Sequence, residues 1–319
     1  MRISFRSVWG AAPVALVLAL SLAAAGCGKY SYSSLKARKA FKDGNVSYGA
    51  QDWKKAADKY EEVVSNDPNY FQAFFYLANS YDNMYKPARA GEQANDAYMK
   101  KAIDWYKKSA ESDPDPKMRK LAMEYLVAAY GPEKLNNPAE AEPIVKRMIE
   151  IDANDPTNYF ALAKIYQDAG RYDEAEQALM KAKEVKPNDP QVYTALSNFY
   201  NQQGEFEKTM DALVQAANLA PNNPQGYQLI ATFYWEKAYK DKRLSEAQQK
   251  EYIAKGIEAT DKALSLNKDY AEALTYKNIL MRMQANLEKD PAKRDKLIKD
   301  ADELKNRAMQ LMKTNKSGD

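Results

Sequence analysis

The chain alternates segments in which apolar residues recur every three or four positions with short breaks that contain glycine or proline. In one stretch near the middle, Tyr159, Leu162 and Tyr166 fall at this spacing, which places them on one face of an α-helix. Gly170 and Pro187 then interrupt the pattern, because glycine favours the left-handed turn that ends a helix and proline stops one. The segment therefore predicts two helices joined by a turn.

This two-helix pattern repeats without a gap in the next 34 residues, 190–223. The proline that opens each copy follows an Asp or Asn, which can cap the helix while proline occupies its first position. A single helical hairpin cannot bury its apolar face, so consecutive copies are expected to stack on one another. The residues that recur 34 positions apart are Pro156, Pro190 and Pro224; Tyr159, Tyr193 and Tyr227; Tyr166, Tyr200 and Tyr234; Gly170 and Gly204; and Pro187 and Pro221.

Looser copies of the same pattern fill the rest of the chain from residue 37 to residue 313. In the third copy Pro143 falls within the second helix, and we expect it to bend that helix or delay its start. The second, sixth and seventh copies carry 12, 13 and 11 extra residues between their helices, which predicts longer hairpins projecting from one edge of the stack. The predicted repeats are residues 37–70, 71–116, 122–155, 156–189, 190–223, 224–270 and 271–313.

The spacing of large and small residues in these copies resembles the tetratricopeptide repeat. In the fourth copy the family's pattern is held by Tyr159, Leu162, Ala163, Tyr166, Ala175, Leu179 and Pro187. The resemblance implies an all-α fold, namely a right-handed α-solenoid of about seven helix-turn-helix repeats whose last helix caps the C-terminal end. It also implies a concave groove that binds other proteins or peptides.

The first residues follow the order of a secretory signal rather than the repeat pattern. Arg2 and Arg6 supply positive charge, residues 14–20 are continuously apolar, and small residues precede Cys27. This order predicts a signal peptide over residues 1–26. After Cys27 the sequence contains no apolar stretch long enough to span a bilayer.

Cys27 is the only cysteine, and residues 24–26 before it resemble the bacterial lipobox, at whose cysteine a diacylglycerol is attached. The leucine that usually stands three positions before the cysteine is replaced by Ala24. The resemblance implies a lipid-anchored N-terminus and linker over residues 27–36, and Gly28 implies sorting to the outer membrane, facing the periplasm. Ordinary secretion with a free thiol and an uncleaved membrane helix are the alternatives.

Both ends of the repeat array carry polar segments. Basic residues after the anchor, among them Lys36 and Lys39, fit either anionic headgroups or the solvated face of a first helix, and the second interpretation is favoured by their spacing. Residues 314–319 are predicted to form a disordered tail.

The composition narrows the possible chemistry. The chain has no histidine and one cysteine, which removes the commonest general base and zinc ligand and any Cys-His or Ser-His catalytic pair. Its 47 basic and 44 acidic residues leave a net charge of +3, without the basic field that nucleic-acid binding needs. We therefore expect no enzyme, no nucleic-acid partner and no cofactor other than the covalent lipid on Cys27.

The concave face formed by the first helix of each repeat is the remaining candidate site. Its asparagines can both donate and accept hydrogen bonds to a peptide backbone, and aromatic residues between them offer flat apolar contacts. The alternative is that the phenylalanines pack between helices and the asparagines are merely solvated. The predicted partner-binding residues are Asn45, Tyr48, Asn79, Phe160, Lys164, Gln167, Asn198, Asn201 and Trp235.

Family members that clamp a C-terminal carboxylate carry lysine at position 5 of a repeat. Phe41 stands there in the first copy, so this mode is not expected at that place. The sequence thus predicts a membrane-anchored scaffold or adaptor of the bacterial cell envelope. The alternative is a structural envelope protein that self-associates through its longer hairpins.

Overall fold

The computed structural model describes residues 31–316. The predicted signal peptide, Cys27 and the last three residues of the chain lie outside the described residues. Every regular element in this range is helical, with fourteen α-helices and a short 3-10 turn at Pro87–Arg89. None of these helices is long and apolar enough to cross a membrane.

The α-helices follow one another with short connections. Their bounds are α1 (Tyr32–Gly49), α2 (Trp53–Asn66), α3 (Gln72–Met84), α4 (Gln93–Ser112), α5 (Pro116–Tyr130), α6 (Pro138–Ile151), α7 (Pro156–Asp168), α8 (Tyr172–Val185), α9 (Pro190–Gln202), α10 (Phe206–Leu219), α11 (Pro224–Lys240), α12 (Glu246–Leu266), α13 (Ala271–Asn286) and α14 (Pro291–Lys316). Most helices that are neighbours in sequence pack on each other, for example α1 on α2, α7 on α8 and α13 on α14. The all-α fold class of consecutive helix-turn-helix units is thereby confirmed for the described residues.

The chain divides into two compact units, whose boundary lies between Met148 and Ile149 within α6. The first unit is built around large side chains that are fully buried, among them Tyr60, Phe74 and Tyr106. In this unit each of helices α1 to α4 packs on the helix that follows it in sequence, and α3 also contacts α5, the first helix of the next hairpin.

The second unit has two apolar clusters along its own hairpins. One contains Met210, Leu213 and Ile230, and the other contains Ile253 and Leu280. Burying a side chain such as that of Leu280, which is 0% exposed, contributes about 1.5–3 kcal/mol to folding. Since each cluster draws on helices of adjacent hairpins, neither hairpin could bury these side chains alone.

Local sequence signals set the helix ends. The side chains of Asp155, Asp189 and Asn223 each accept a hydrogen bond from the backbone N–H of the second residue of α7, α9 and α11, and each helix has proline at its first position. At the other end, Gly170 and Gly204 adopt φ values of 73° and 74°, the left-handed conformation predicted for them.

Three local features differ from, or refine, the sequence-based expectation. Of the two effects expected of Pro143, the delayed start is wrong, because α6 begins at Pro138 and continues through Pro143 to Ile151, and the bend stays a prediction. Its start is set instead by the chain turn at Asn137, whose carbonyl accepts the first backbone hydrogen bonds. Helix α1 begins at Tyr32, inside the predicted linker, and α14 extends into the predicted tail.

The extra residues of the sixth and seventh repeats lengthen helices rather than loops. Helices α11 and α12 have 17 and 21 residues, and α13 and α14 have 16 and 26, whereas α7 and α8 have 13 and 14. In the second repeat the extra length is shared between the segment that holds the 3-10 turn and α4, which has 20 residues.

Candidate functional site

The predicted partner-binding residues all lie on the first helix of a hairpin, as expected, but they are divided between the two units. Asn45, Tyr48 and Asn79 belong to the first unit, on α1 and α3. The second unit carries the rest of the set on α7, α9 and α11, namely Phe160, Lys164, Gln167, Asn198, Asn201 and Trp235.

Asn79 is buried, with 5% of its surface exposed, and its amide is used inside the first unit. Its Oδ1 accepts a hydrogen bond from the Tyr48 hydroxyl at 2.7 Å, and its Nδ2 donates to the Tyr106 hydroxyl at 3.0 Å. The Tyr106 hydroxyl in turn donates to Asp82, which pairs with Lys134. Both ends of the Asn79 amide are therefore engaged within the fold, which favours a structural role for this residue.

Burial is the main reason that the Tyr106 hydroxyl stays protonated. Burial raises the pKa of the Tyr106 hydroxyl above its ordinary value, and the Asp82 carboxylate raises it further. A neutral phenol can both accept from Asn79 and donate to Asp82, so the chain of bonds is complete.

Asn45 and Tyr48 lie closer to solvent. Asn45 is exposed, although its Oδ1 accepts a hydrogen bond from the Tyr60 hydroxyl at 2.7 Å. The half-buried ring of Tyr48 lies between Trp53 and Tyr76, with ring centroids 5.2 and 5.3 Å away. Burial raises the pKa of the Tyr48 hydroxyl. This part of the first unit is therefore mainly an aromatic surface.

The phenylalanines at position 5 of the first two repeats pack internally. Phe75 is buried, and its ring meets that of Tyr125 edge-on with centroids 5.1 Å apart. The ring centroids of Phe41 and Tyr70 are 4.9 Å apart. These two residues follow the packing alternative rather than the binding one. Phe160, at the same position of the fourth repeat, is half-buried on α7.

Helices α7 and α9 of the second unit present a polar surface. The Gln167 Nε2 donates to Gln202 Oε1 at 2.9 Å and so links the two helices. Asn198 and Asn201 are exposed, and within the described part of the chain their side chains have no hydrogen-bond partner. Lys164 holds on α7 the repeat position that Asn198 holds on α9; it is exposed and pairs with Asp168 on its own helix.

Trp235 lies mainly within the apolar packing of the second unit. Its ring stacks on Tyr239 with centroids 5.8 Å apart and an interplanar angle of 11°, and it meets Tyr276 edge-on at 5.5 Å. Its Nε1 is buried and donates to no acceptor in the described structure. We therefore assign its ring a packing role.

A cavity of about 520 Å³ lies beside Asn201, and sequence reasoning missed it. It is bounded by the α9–α10 turn, the C-terminal half of α11 and the loop that follows α11. The available signal is the basic run at residues 240–243, which the repeat pattern assigns only to a longer hairpin. Its lining residues are Asn201, Gly204, Phe206, Phe233, Glu236, Lys237, Lys240, Asp241, Lys242 and Arg243.

Comparison with known proteins identifies the repeat. Residues 134–199 and 190–223 match two sequence models described as the tetratricopeptide repeat, and no catalytic family is among the matches. Residues 134–223 thus contain tetratricopeptide repeats. Among curated proteins, none matches its sequence.

Solved structures show similarity in fold. The C-terminal part of a TPR repeat-containing protein from Cytophaga hutchinsonii is 18% identical and superposes with a TM-score of 0.55 over 85% of this chain and 98% of that one. At this identity the likeness concerns the fold alone. Weaker superpositions include MamA from Desulfovibrio magneticus, at 18% identity and a TM-score of 0.42 over 62% of this chain and 95% of that one. Another is YrrB, described as a TPR protein with an unusual peptide-binding site, at 18% identity and 0.40 over 60% and 89%.

Proposed function

We propose that this protein is an interaction scaffold of the bacterial cell envelope, which a lipid on Cys27 holds at the membrane while its repeats bind a partner protein. The observation that carries the binding role is the pair of exposed amides on α9, Asn198 and Asn201, beside the Gln167–Gln202 bond. Tetratricopeptide repeats generally bind proteins or peptides, and this surface offers the donors and acceptors that an extended backbone needs.

The exposure of these amides supports a contact role rather than a structural one. Asn79, at the equivalent position of the second repeat, uses its amide in hydrogen bonds to Tyr48 and Tyr106. Its polar side chain therefore has a structural role inside the first unit. Asn198 and Asn201 have no such internal partner in the described structure. A partner that hydrogen-bonds to them would add bonds without breaking any within the fold.

The proposal of a membrane tether is supported by the order of residues around Cys27 and by the short distance along the chain from Cys27 to α1. Cys27 precedes Tyr32, the first residue of α1, by five positions, which span at most about 18 Å when extended. A lipid on Cys27 would therefore hold α1 near the bilayer surface. We propose the outer membrane, with the repeats in the periplasm, because Gly28 rather than Asp follows the cysteine.

The residues on the exposed side of α1 suit a position near the bilayer surface. Tyr32, Leu35 and Val46 are 77%, 51% and 69% exposed, which is unusual for large apolar side chains in a solvated helix. Lys39 and Lys42 are exposed at helical spacing between them. Apolar and basic residues on one helix face suit contact with anionic headgroups.

Site-specific crosslinking in native membranes tests the binding surface. The full chain carries a photoreactive amino acid in place of Asn198, and a matched version carries it in place of Gln215, an exposed residue on the second helix of the same hairpin. We expect a protein adduct from position 198 and none from position 215. Equal adducts at both positions, or none at 198, would overturn the assignment of this surface.

The mass of the adduct separates the scaffold from a self-associating structural protein. An adduct at the mass of two copies of this chain would favour self-association, and an adduct with a different protein would favour the scaffold. Mass spectrometry of the crosslinked peptides identifies which has formed.

Metabolic labelling with a fatty-acid probe tests the tether. We expect the wild-type chain to take up the label and sediment with membranes, and the Cys27→Ala variant to lose both properties. Label that persists in Cys27→Ala would refute lipidation at this residue.

A further inference from the structure

The cavity at the end of α11 is built from the length that the sixth repeat has gained. The first helices of the fourth and fifth repeats have 13 residues, whereas α11 has 17. Lys237 and Lys240 lie in the added turn, and Lys242 and Arg243 lie in the loop that follows. The basic wall of the cavity therefore belongs to the sixth repeat, while the fifth repeat supplies the opposite wall.

Its walls combine apolar and basic groups. Phe206 and Phe233 are half-buried and pack against the apolar cluster of α10 and α11, so that their remaining surface faces the cavity they line. The Lys237 ammonium lies 4.9 Å from the centroid of the Phe206 ring. A volume of about 520 Å³ falls in the range of cavities that bind ligands rather than single waters.

Positive charge is in excess at this site. The lining contains four cations and two carboxylates, Glu236 and Asp241, which leaves a surplus of two positive charges. Asp241 accepts from Arg243 Nε at 2.9 Å and from Lys237 Nζ at 3.1 Å, and Lys240 pairs with Glu236. Lys242 Nζ donates to the Tyr239 carbonyl at 2.8 Å and has no carboxylate partner within the described residues.

The surplus persists at ordinary pH. Arg243 above all, through its side chain and backbone, and then Lys237 hold the pKa of Asp241 below its usual range. Asp241 is therefore already ionised, and no further carboxylate in the lining can offset the remaining cations. Ammonium and guanidinium groups still have unused donors after these pairs form, because lysine has three and arginine five.

We propose that this cavity binds a short acidic peptide segment of the partner, with an apolar side chain against Phe206 and Phe233 and carboxylates against Lys240, Lys242 and Arg243. The proposal deepens the scaffold function above and rests on it for the existence of a partner. Charge complementarity selects the acidic segment over a basic or neutral one. The two aromatic rings select a segment that contains an apolar residue over a free small anion.

Fluorescence anisotropy with defined peptides tests this site. The probe is a fluorescein-labelled peptide Glu-Glu-Phe-Glu-Glu, and the matched probes replace every Glu by Gln or the Phe by Ala. With the detergent-solubilised full chain, we expect saturable binding of the first peptide, which weakens as salt is raised, and at least about tenfold weaker binding of each matched probe.

A charge-matched pair of variants assigns the binding to the cavity. The triple variant K240Q/K242Q/R243Q removes three cations at the rim, and K293Q/K299Q/K305Q removes three exposed lysines of α14. We expect about tenfold weaker peptide binding in the first variant and unchanged binding in the second. Circular dichroism should show both variants folded, since every substituted residue is exposed.

Each other result counts against the proposal. Equal losses in the two triple variants would mean non-specific attraction to net charge, and equal binding of the Gln probe would mean that charge is not recognised. Displacement of the peptide by the same concentration of inorganic phosphate would indicate an anion site instead.

The test also separates this inference from the function on which it rests. Crosslinking at position 198 that captures a partner, together with no effect of K240Q/K242Q/R243Q, would refute the cavity alone. Peptide binding that depends on the three cations, together with no crosslinked protein, would keep the cavity and refute the scaffold surface.

Discussion

The ring of Tyr60 lies against Gly44 so closely that a methyl group on Gly44 would be 2.7 Å from Tyr60 Cε1. Tyr60 is fully buried, donates its hydroxyl to Asn45 and stacks on Tyr76 with centroids 5.9 Å apart. The ring is therefore held on several sides and cannot move away at low cost. Gly44 is required here for close approach of α1 and α2.

We predict that Gly44→Ala lowers the free energy of unfolding by about 1–3 kcal/mol, because the added methyl overpacks the contact with Tyr60. Urea unfolding measures the change. Gly49→Ala is the matched control on the same helix, since a methyl there would meet nothing within 4 Å. That control should be neutral or slightly stabilising, and an equal loss in both variants would contradict the packing explanation.

Asn79 and Asn198 occupy equivalent repeat positions but should respond differently to truncation. Asn79→Ala removes the acceptor of the Tyr48 hydroxyl and the donor to the Tyr106 hydroxyl, and should cost about 1–3 kcal/mol of stability. Asn198→Ala should leave stability unchanged while it weakens partner capture. Thermal unfolding and quantitative crosslinking of both variants decide the matter, and a stable Asn79→Ala protein would refute the internal role.

Two contacts between successive hairpins are each formed by a tyrosine, a glutamate and a lysine. The Tyr81 hydroxyl donates to Glu61, and Lys101 lies 3.0 Å from the same carboxylate and 4.6 Å from the Tyr81 ring centroid. Tyr200 donates to Glu176 at 2.8 Å, and Lys208 lies 4.9 Å from its ring centroid. Each tyrosine therefore bridges the second helix of one hairpin to the next hairpin, as the recurrence of Tyr at position 11 implies.

These tyrosines should make the protein sensitive to alkali. Burial, and then the hydrogen bond to Glu61, raise the pKa of Tyr81 from 10.0 to about 12. Because the folded state holds this proton more tightly than the unfolded state, the stabilisation is complete below pH 10 and is lost as pH rises towards 12. We predict that the free energy of unfolding falls over this interval and that Tyr81→Phe makes the fall shallower. Equal slopes in the two proteins would contradict the assignment to Tyr81.

Gln51 takes the left-handed conformation with φ 58° at the point where the fourth and fifth repeats have Gly170 and Gly204. A residue with a Cβ pays a conformational cost there, so Gln51→Gly should stabilise the protein by about 1 kcal/mol. Gly204→Ala should destabilise it by about 1–2 kcal/mol for the same reason. Differential scanning calorimetry of the two variants measures opposite shifts, and shifts of the same sign would exclude the backbone explanation.

The sequence by itself determined the features that depend on local chemistry. The 34-residue spacing, the Asp-Pro and Asn-Pro helix starts and the turn at Gly170 each act within a few residues of the chain, so they could be predicted without knowledge of the neighbours. The order of the hairpins followed from them, because stacking is how repeats of this length bury their apolar faces.

Only the tertiary structure decided what each polar side chain does once the helices are packed. Repeat position places Asn79 and Asn198 on the same helix face, but the hydroxyls of Tyr48 and Tyr106 come from other helices and reach Asn79 alone. The cavity beside Asn201 likewise depends on the tertiary structure, because the extra residues of the sixth repeat lengthen α11 and place a basic loop after it. Contacts between residues distant in sequence depend on where the helices meet, and the spacing of residues along one chain does not specify that.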